Sequence, residues 1–269
     1  MNNSINCLDL RKTVLDMAFN GSTVHIACAF SIIEILAVIY RSHLRYSFED
    51  REDPNRDYLI LSKGHGVMAQ YACMKELGWL SSEDIKNYFS DGTLLKGLSD
   101  SRVPGLEVSS GSLGHGLSVA VGLAFAAKLN GTDQKTYVVV GDGELNEGPI
   151  WEAIQFAGHH KLSNLMIIVD KNNFQAMGKT SEIIRQDNIQ NQIKSFEFLV
   201  KTINGHDEDL INQTIVNLWD SKSEMPKGIV AETLKGKGIS FMEDSNEWHY
   251  SRLNEKLYKK ALAELETLR

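Results

Sequence analysis

The sequence predicts an α/β protein with a mostly parallel sheet covered by helices on both faces. Three observations carry that expectation. Short, almost wholly apolar runs recur along the chain: YLIL (58–61), TYVVV (136–140), LMIIVD (165–170), FLVKTI (198–203) and GIVAETL (228–234). Stretches with helical spacing separate them, at 67–78, 116–129, 148–161 and 207–221. Strands that are apolar throughout, rather than alternating, are those buried on both faces, as in parallel sheets with helical crossovers. The third observation is that the strongest of these strands runs directly into GDGE (141–144). In open parallel sheets, ligands sit beyond the carboxyl ends of the strands.

The remaining segments follow from their own patterns. The part up to about residue 57 reads as helical, and VHIACAFSIIEILAVIY (24–40) carries His25 and Glu34. A membrane span needs about 20 apolar residues with few or no charges, so this stretch is expected to be a buried helix starting near Ala29. The tail from 251 to 269 has leucines at mixed spacings of four, five and three and reads as a helix for packing or oligomer contact. No repeat, low-complexity run or flexible linker interrupts the 269 residues, so one domain over 1–269 is the simplest reading. Hydrophobic content of 42% and charged content of 23% are ordinary for a soluble globular chain. A net charge of −7 without like-charge blocks argues against a nucleic-acid face. Three scattered cysteines without CxxC spacing fit reduced thiols in a cytoplasm, and the N-terminus shows no secretory signal pattern.

An Asp-Gly pair by itself is a turn signal. Asp142 gains chemical meaning from the next strand, which ends in DKNNF (170–174). Successive strands thereby bring Asp142 and an asparagine pair to one sheet edge. A carboxylate, an amide oxygen and a loop carbonyl are hard donors that suit Mg²⁺, which completes its octahedron with phosphate oxygens and water. Gly141 and Gly143 allow close approach of backbone to a phosphate, and a helix opening near Glu147 turns its positive end toward it.

With GDG followed one helix and one strand later by KNN, the chain resembles the N-terminal, diphosphate-binding half of transketolase over nearly its whole length. That resemblance implies a thiamine-diphosphate-binding fold. It implies Asp142, Asn172 and the backbone carbonyl of Phe174 as metal ligands, with Gly143 contacting the diphosphate. RDYLILSKGHG (56–66) is similar to the family segment whose histidine, here His65, binds the diphosphate. PGLEVSSGSLGHGLSVAVGLA (104–124) is similar to its glycine-rich loop, with Gly114 and Gly116 lining the cofactor and His115 where Gln is usual. LKGKGISFMEDSNEWHY (234–250) matches the segment that sets a histidine, here His249, over diphosphate and substrate. His25 matches a third histidine used in both contacts, so His25 and His249 are the catalytic candidates. Glu147 matches a glutamate at the contact between two cofactor sites.

Without the resemblance, His25 reads as a core histidine and His249 as a surface contact. His159 and His160 read as helix packing, His43 and His206 as surface or loop residues, and Glu144 as a solvated helix start. The glycines of GKGIS (236–240) read equally well as turn formers or as part of the site.

Two departures qualify the resemblance. Transketolases continue into a pyrimidine-binding domain with the glutamate that activates the cofactor, and this chain ends at Arg269. The expectation is a chain inert alone and active with a separate C-terminal-type chain, in a heterotetramer. The second departure is Leu98 after Gly97, where the family has a histidine that contacts donor hydroxyls, and Ser99 where it has proline. Ala27 and Cys28 likewise stand where glycines are usual. The resemblance therefore implies two-carbon transfer from a ketose-type donor to an aldose-type acceptor. The alternatives are acetyl transfer from pyruvate with decarboxylation, which Leu98 would tolerate, and an inactive binding or regulatory role, against which the intact Asp142, Asn172, His65 and His249 argue.

Overall fold

The computed structural model of the protein describes residues 5–267 except 23, 48, 50 and 52. All five anticipated strands form: β1 (Tyr58–Leu61), β2 (Thr136–Gly141), β3 (Leu165–Lys171), β6 (Leu199–Asn204) and β7 (Lys227–Glu232). A short antiparallel pair, β4 (Phe174–Gln175) and β5 (Gly178–Lys179), lies apart from them. The main sheet has the order β1-β2-β3-β7-β6, and every neighbouring pair in it is parallel.

The apolar runs divide their side chains between two cores, as the two-residue period of a strand requires. Leu59, Leu61, Tyr137, Val139, Met166, Ile168, Ile229 and Ala231 join one cluster with the N-terminal helices. Ile60, Val138, Val140, Leu165, Ile167, Val169 and Val230 join the other, with the helices Gly116–Leu129 and Gly148–His159. The sheet is thus covered on both faces.

Helix boundaries follow local chemistry. Asp207 caps the helix Glu208–Trp219 by accepting from Leu210 N–H, and Asn254 caps Glu255–Glu266 by accepting from Leu257 N–H. The N-terminal region departs from expectation in two ways. Its helical part ends at His43, and the described residues between it and Asp57 form no helix or strand. The buried apolar segment begins at Ile26, three residues before Ala29, and it breaks after Phe30 before resuming as Ile33–Val38. The break has a cause: the Cys28 carbonyl accepts from Lys63 Nζ at 3.1 Å and lies 3.1 Å from Ser31 Oγ. A competing donor at a helical carbonyl loosens the ladder there. Among the described residues, no helix is long and apolar enough to cross a membrane.

Candidate functional site at the carboxyl edge of the sheet

In-register pairing sets the centre of the site. Gly141 of β2 lies beside Asp170 of β3, and Asp142 N–H donates to the Asp170 carbonyl at 3.1 Å. Asp142 therefore leaves the sheet next to the turn that holds Asn172 and Phe174. All three are buried, Asp142 at 2% exposure. The Asp142 carboxylate accepts from Gly143 N–H at 2.8 Å and Asn173 N–H at 2.6 Å. The Asn172 amide oxygen accepts from Phe174 N–H at 3.0 Å, closing a tight turn, while its nitrogen donates to Asp170 at 2.8 Å. Asn173 takes a left-handed φ of 65° in that turn, a conformation asparagine tolerates.

Charge is balanced unevenly across this pair of acids. Asp170 is fully buried and accepts from Lys63 Nζ at 2.5 Å, from Ser31 Oγ at 2.8 Å and from the Thr233 hydroxyl. Burial opposes its ionisation, yet Lys63 and these hydroxyls hold it below the ordinary carboxylate range. Among the described residues no cation touches Asp142, whose hydrogen-bond partners are backbone N–H groups. Burial, reinforced by Asp170, pushes its carboxyl up to about 7. A divalent cation at Asp142 would restore the ionised form, because opposite charge favours it. The donor set of one carboxylate, one amide oxygen and one carbonyl suits Mg²⁺. No group of three His, Cys, Asp or Glu side chains among the described residues has the geometry to hold a metal ion.

Above this edge lies a cavity of about 340 Å³. Its lining includes His25, His65, Asp142, Gly143, Asn172, Phe174 and His249, together with Cys28, Lys63, Leu98 and Glu144. The three histidines form one cluster, with ring centroids 5.1 Å apart for His25–His65, 5.3 Å for His25–His249 and 5.8 Å for His65–His249. A single backbone bridge clamps two of them: Val24 and Ser251 exchange hydrogen bonds at 3.0 and 3.1 Å, just before His25 and just after Tyr250. Burial and the Lys235 and Lys63 ammoniums lower His25 to about 4 and His249 to about 3. Burial and Lys63 hold His65 well below its ordinary value. All three rings are neutral near pH 7, each with one nitrogen to donate and one to accept.

Other anticipated residues lie elsewhere. Gly114 and Gly116 are outside the cavity lining. A Cβ on Gly114, whose φ is +86°, would meet the Glu147 side chain at 2.8 Å, and one on Gly116 would meet Ser62 at 2.6 Å. Their small size serves packing of the loop against its neighbours. The Gly143 Cβ position faces Gln175 at 2.6 Å, and its N–H is spent on Asp142. A four-residue 3₁₀ turn, Gly143–Asn146, separates Asp142 from the helix Gly148–His159, and no residue of that helix is among those that line the cavity.

One expectation is corrected. Glu144 is not a solvated helix start but is buried at 1% exposure, where it accepts from Ser62 Oγ at 2.5 Å, Gly114 N–H at 2.9 Å and Gly141 N–H at 3.1 Å. It ties three loops of the site together. His206 lies in the turn after β6, the loop position anticipated for it, with its side chain partly buried. Its Nε2 accepts from Leu234 N–H at 2.8 Å, so its hydrogen is assigned to Nδ1, which faces Glu34 at 2.9 Å. In the GKGIS segment, Gly236 has φ +77° and its Cβ position lies 2.3 Å from the Met242 carbonyl oxygen, which makes it a turn former.

Sequence reasoning passed over Lys63, Lys235 and the clamping role of Asp170. A signal was available, since Lys63 and Lys235 both follow the carboxyl ends of predicted strands. A second cavity of about 540 Å³ adjoins the first through His25 and Leu98 and is walled by Val24, Phe89, Lys96, Gly97 and Tyr250. Leu98 is 45% exposed at the junction.

A sequence profile described as "Transketolase, thiamine diphosphate binding domain" matches residues 3–265. One of the named subunits of apulose-4-phosphate transketolase from Phocaeicola vulgatus is 34% identical over 95% of this chain and 90% of its own. The 6-deoxy-6-sulfo-D-fructose transketolase subunit SqwG of a Clostridium species is 35% identical over 96% of this chain and 94% of its own. Among solved structures, transketolase from Campylobacter jejuni superposes with a TM-score of 0.90 at 32% identity. That match covers 97% of this chain and 42% of the Campylobacter chain.

Proposed function

The chain belongs to the transketolase thiamine-diphosphate-binding family, and from that premise we propose that it works as a single diphosphate-binding unit, holding thiamine diphosphate through Mg²⁺ and active only with a separate pyrimidine-binding chain. The observation that carries this reading is the meeting of Asp142, Asn172 and Phe174 with His25, His65 and His249 around one cavity. Partner dependence is supported by relatives of nearly the same length that are named as subunits of a transketolase. We propose further that two copies of each chain form a heterotetramer in the cytoplasm. The relatives' names contain a ketose phosphate and a sulfonated deoxyketose, so the proposed donor is a ketose with an anionic group and the acceptor an aldose.

In this reading Asp142, Asn172 and the Phe174 carbonyl hold the metal, and Gly143 together with His65 flanks the diphosphate, with Gly114 and Gly116 shaping the loop behind Glu144. Thiamine diphosphate, when bound, supplies a carbon centre that stores the electron pair released when the donor's carbon–carbon bond breaks. The chain's own task is to bind, orient and move protons. His25 and His249 are neutral near pH 7, because burial and nearby ammoniums depress both. His25 is therefore able to take a proton from a substrate hydroxyl and return it, while His249 is available to hydrogen-bond what the cavity holds. One observation favours acetyl transfer from pyruvate as a second reading: Leu98, an apolar side chain, stands where the two cavities join.

Calorimetry of thiamine diphosphate with the reconstituted complex tests the reading. Binding is expected to need Mg²⁺, to vanish with EDTA and to vanish in Asp142→Ala, while the circular dichroism of the variant stays native. Unchanged affinity in Asp142→Ala would reduce that residue to a turn former.

A further inference from the structure

Lys235 is fully buried, directly behind the histidine cluster. It follows β7 by three residues, and its backbone is pinned on both sides: Gly236 N–H donates to the Ala27 carbonyl at 3.1 Å, and Asp244 N–H donates to the Lys235 carbonyl at 3.1 Å. Among the described residues its ammonium has no carboxylate in contact. It lies 2.8 Å from His249 Nδ1, 3.3 Å from Asn246 Oδ1 and 5.2 Å from the centre of the Phe174 ring. The amide of Asn246 is oriented by its own donation to the Ala176 carbonyl at 3.1 Å, which turns its oxygen toward Lys235. Cys28 Sγ approaches the same His249 nitrogen at 3.7 Å.

An ammonium carries three donors and no acceptor, whereas a neutral imidazole carries one of each. A nitrogen that faces an ammonium at hydrogen-bond distance must therefore accept. We propose that Lys235 is a positioning residue for His249: by donating to Nδ1 it assigns the ring hydrogen to Nε2, so the ring presents a hydrogen-bond donor to whatever the cavity holds. The tautomer of a functional histidine is set by the bond its other nitrogen makes. Here the usual carboxylate or carbonyl acceptor is replaced by a donor, which selects the opposite tautomer. A ring held this way offers N–H to a phosphate oxygen or to a substrate carbonyl or alkoxide. It takes up a proton at Nδ1 only by displacing Lys235. The assignment rests on the reading of His249 as a residue that faces bound ligands, but the tautomer is a property of the chain alone.

The test is ¹⁵N–¹H multiple-bond correlation spectroscopy of the imidazoles in the full-length chain, without ligand, with His249 assigned through loss of its signals in His249→Asn. The expected result is a single Nε2–H pattern, with Nδ1 unprotonated. In Lys235→Met that uniform pattern is expected to be lost to a mixture of both tautomers, and in Lys235→Gln, whose amide still donates, to return. A wild-type ring with its hydrogen on Nδ1 overturns the proposal without any variant having to fold. So does an unchanged pattern in Lys235→Met that retains native circular dichroism. Neither outcome bears on whether the chain binds thiamine diphosphate, which calorimetry decides separately.

Discussion

Leu98 concentrates the question of substrate choice into one side chain. It lines both cavities and is partly exposed where they meet, so a donor hydroxyl beside it finds no hydrogen-bond partner. One such bond is worth about 0.5–1.5 kcal/mol, or roughly twofold to tenfold in rate. In the reconstituted complex, Leu98→His is therefore expected to raise kcat/KM for ketose phosphates relative to pyruvate by about that factor, and an unchanged ratio would remove position 98 from donor reading. The histidines carry a second expectation. His249 and His25 have folded-state values near 3 and 4 against an ordinary 6.5, so the folded chain resists protons that the unfolded chain accepts. Their contribution is fully present above about pH 6.5 and is lost as pH falls toward those depressed values. Asp142, raised to about 7, runs the other way, costing stability above that pH and less as pH falls. Comparing wild type with His249→Asn isolates one histidine. Between pH 6.5 and 4 the wild type should lose stability relative to the variant by up to about 1.4 kcal/mol per pH unit. Parallel urea-unfolding curves across that range would contradict this. Asp142, Asn172 and the histidines were legible as residues because their motifs are contiguous. Lys235 was not, because its partner His249 is brought to it by a loop.

At the scale of elements, the site is held by loops that leave four parallel strands, and it is only as precise as their docking. Glu144 joins the loops after β1 and β2 to the segment before the helix Gly116–Leu129. The helix Gly148–His159 depends on one small residue for its seat. A Cβ on Gly158 would lie 1.9 Å from the Phe196 carbonyl oxygen, so no side chain fits without moving backbone. Helix propensity alone favours Gly158→Ala by about 1 kcal/mol, while overpacking costs about 1–3 kcal/mol and more against rigid backbone. The expected net effect is a lower urea midpoint with an unchanged slope. A raised midpoint would mean that the helix lifts from the Phe196 segment at little cost. Strand positions were legible to within two residues because burial on both faces leaves a continuous apolar run. The break after Phe30 was not legible, since the donor that draws off the Cys28 carbonyl, Lys63, is remote in sequence.

For the whole molecule, the chain spans 42% of the solved Campylobacter transketolase and about nine-tenths of the relatives named as subunits. The purified chain is accordingly expected to give no measurable two-carbon transfer, and to gain it on addition of the complementary chain with thiamine diphosphate and Mg²⁺. A coupled assay on the pure chain, the pure partner and the mixture decides the matter, and robust turnover by the single chain would refute the proposed division of labour.

By itself the sequence determined the fold class, the strand positions, and the family to which GDG and KNN point, because these depend on local pattern and on residue types at short spacing. Tertiary structure alone decided how charge is shared. It paired Lys63 with Asp170 and left Asp142, among the described residues, without an ion pair. It buried Glu144 among three loops, turned Gly114 toward Glu147 rather than the cavity, and set Lys235 against His249. These are contacts between segments far apart in the chain, made strong by a low-dielectric interior. Which of two acids keeps its proton, and which nitrogen of a ring carries its hydrogen, follows from what the fold places beside each.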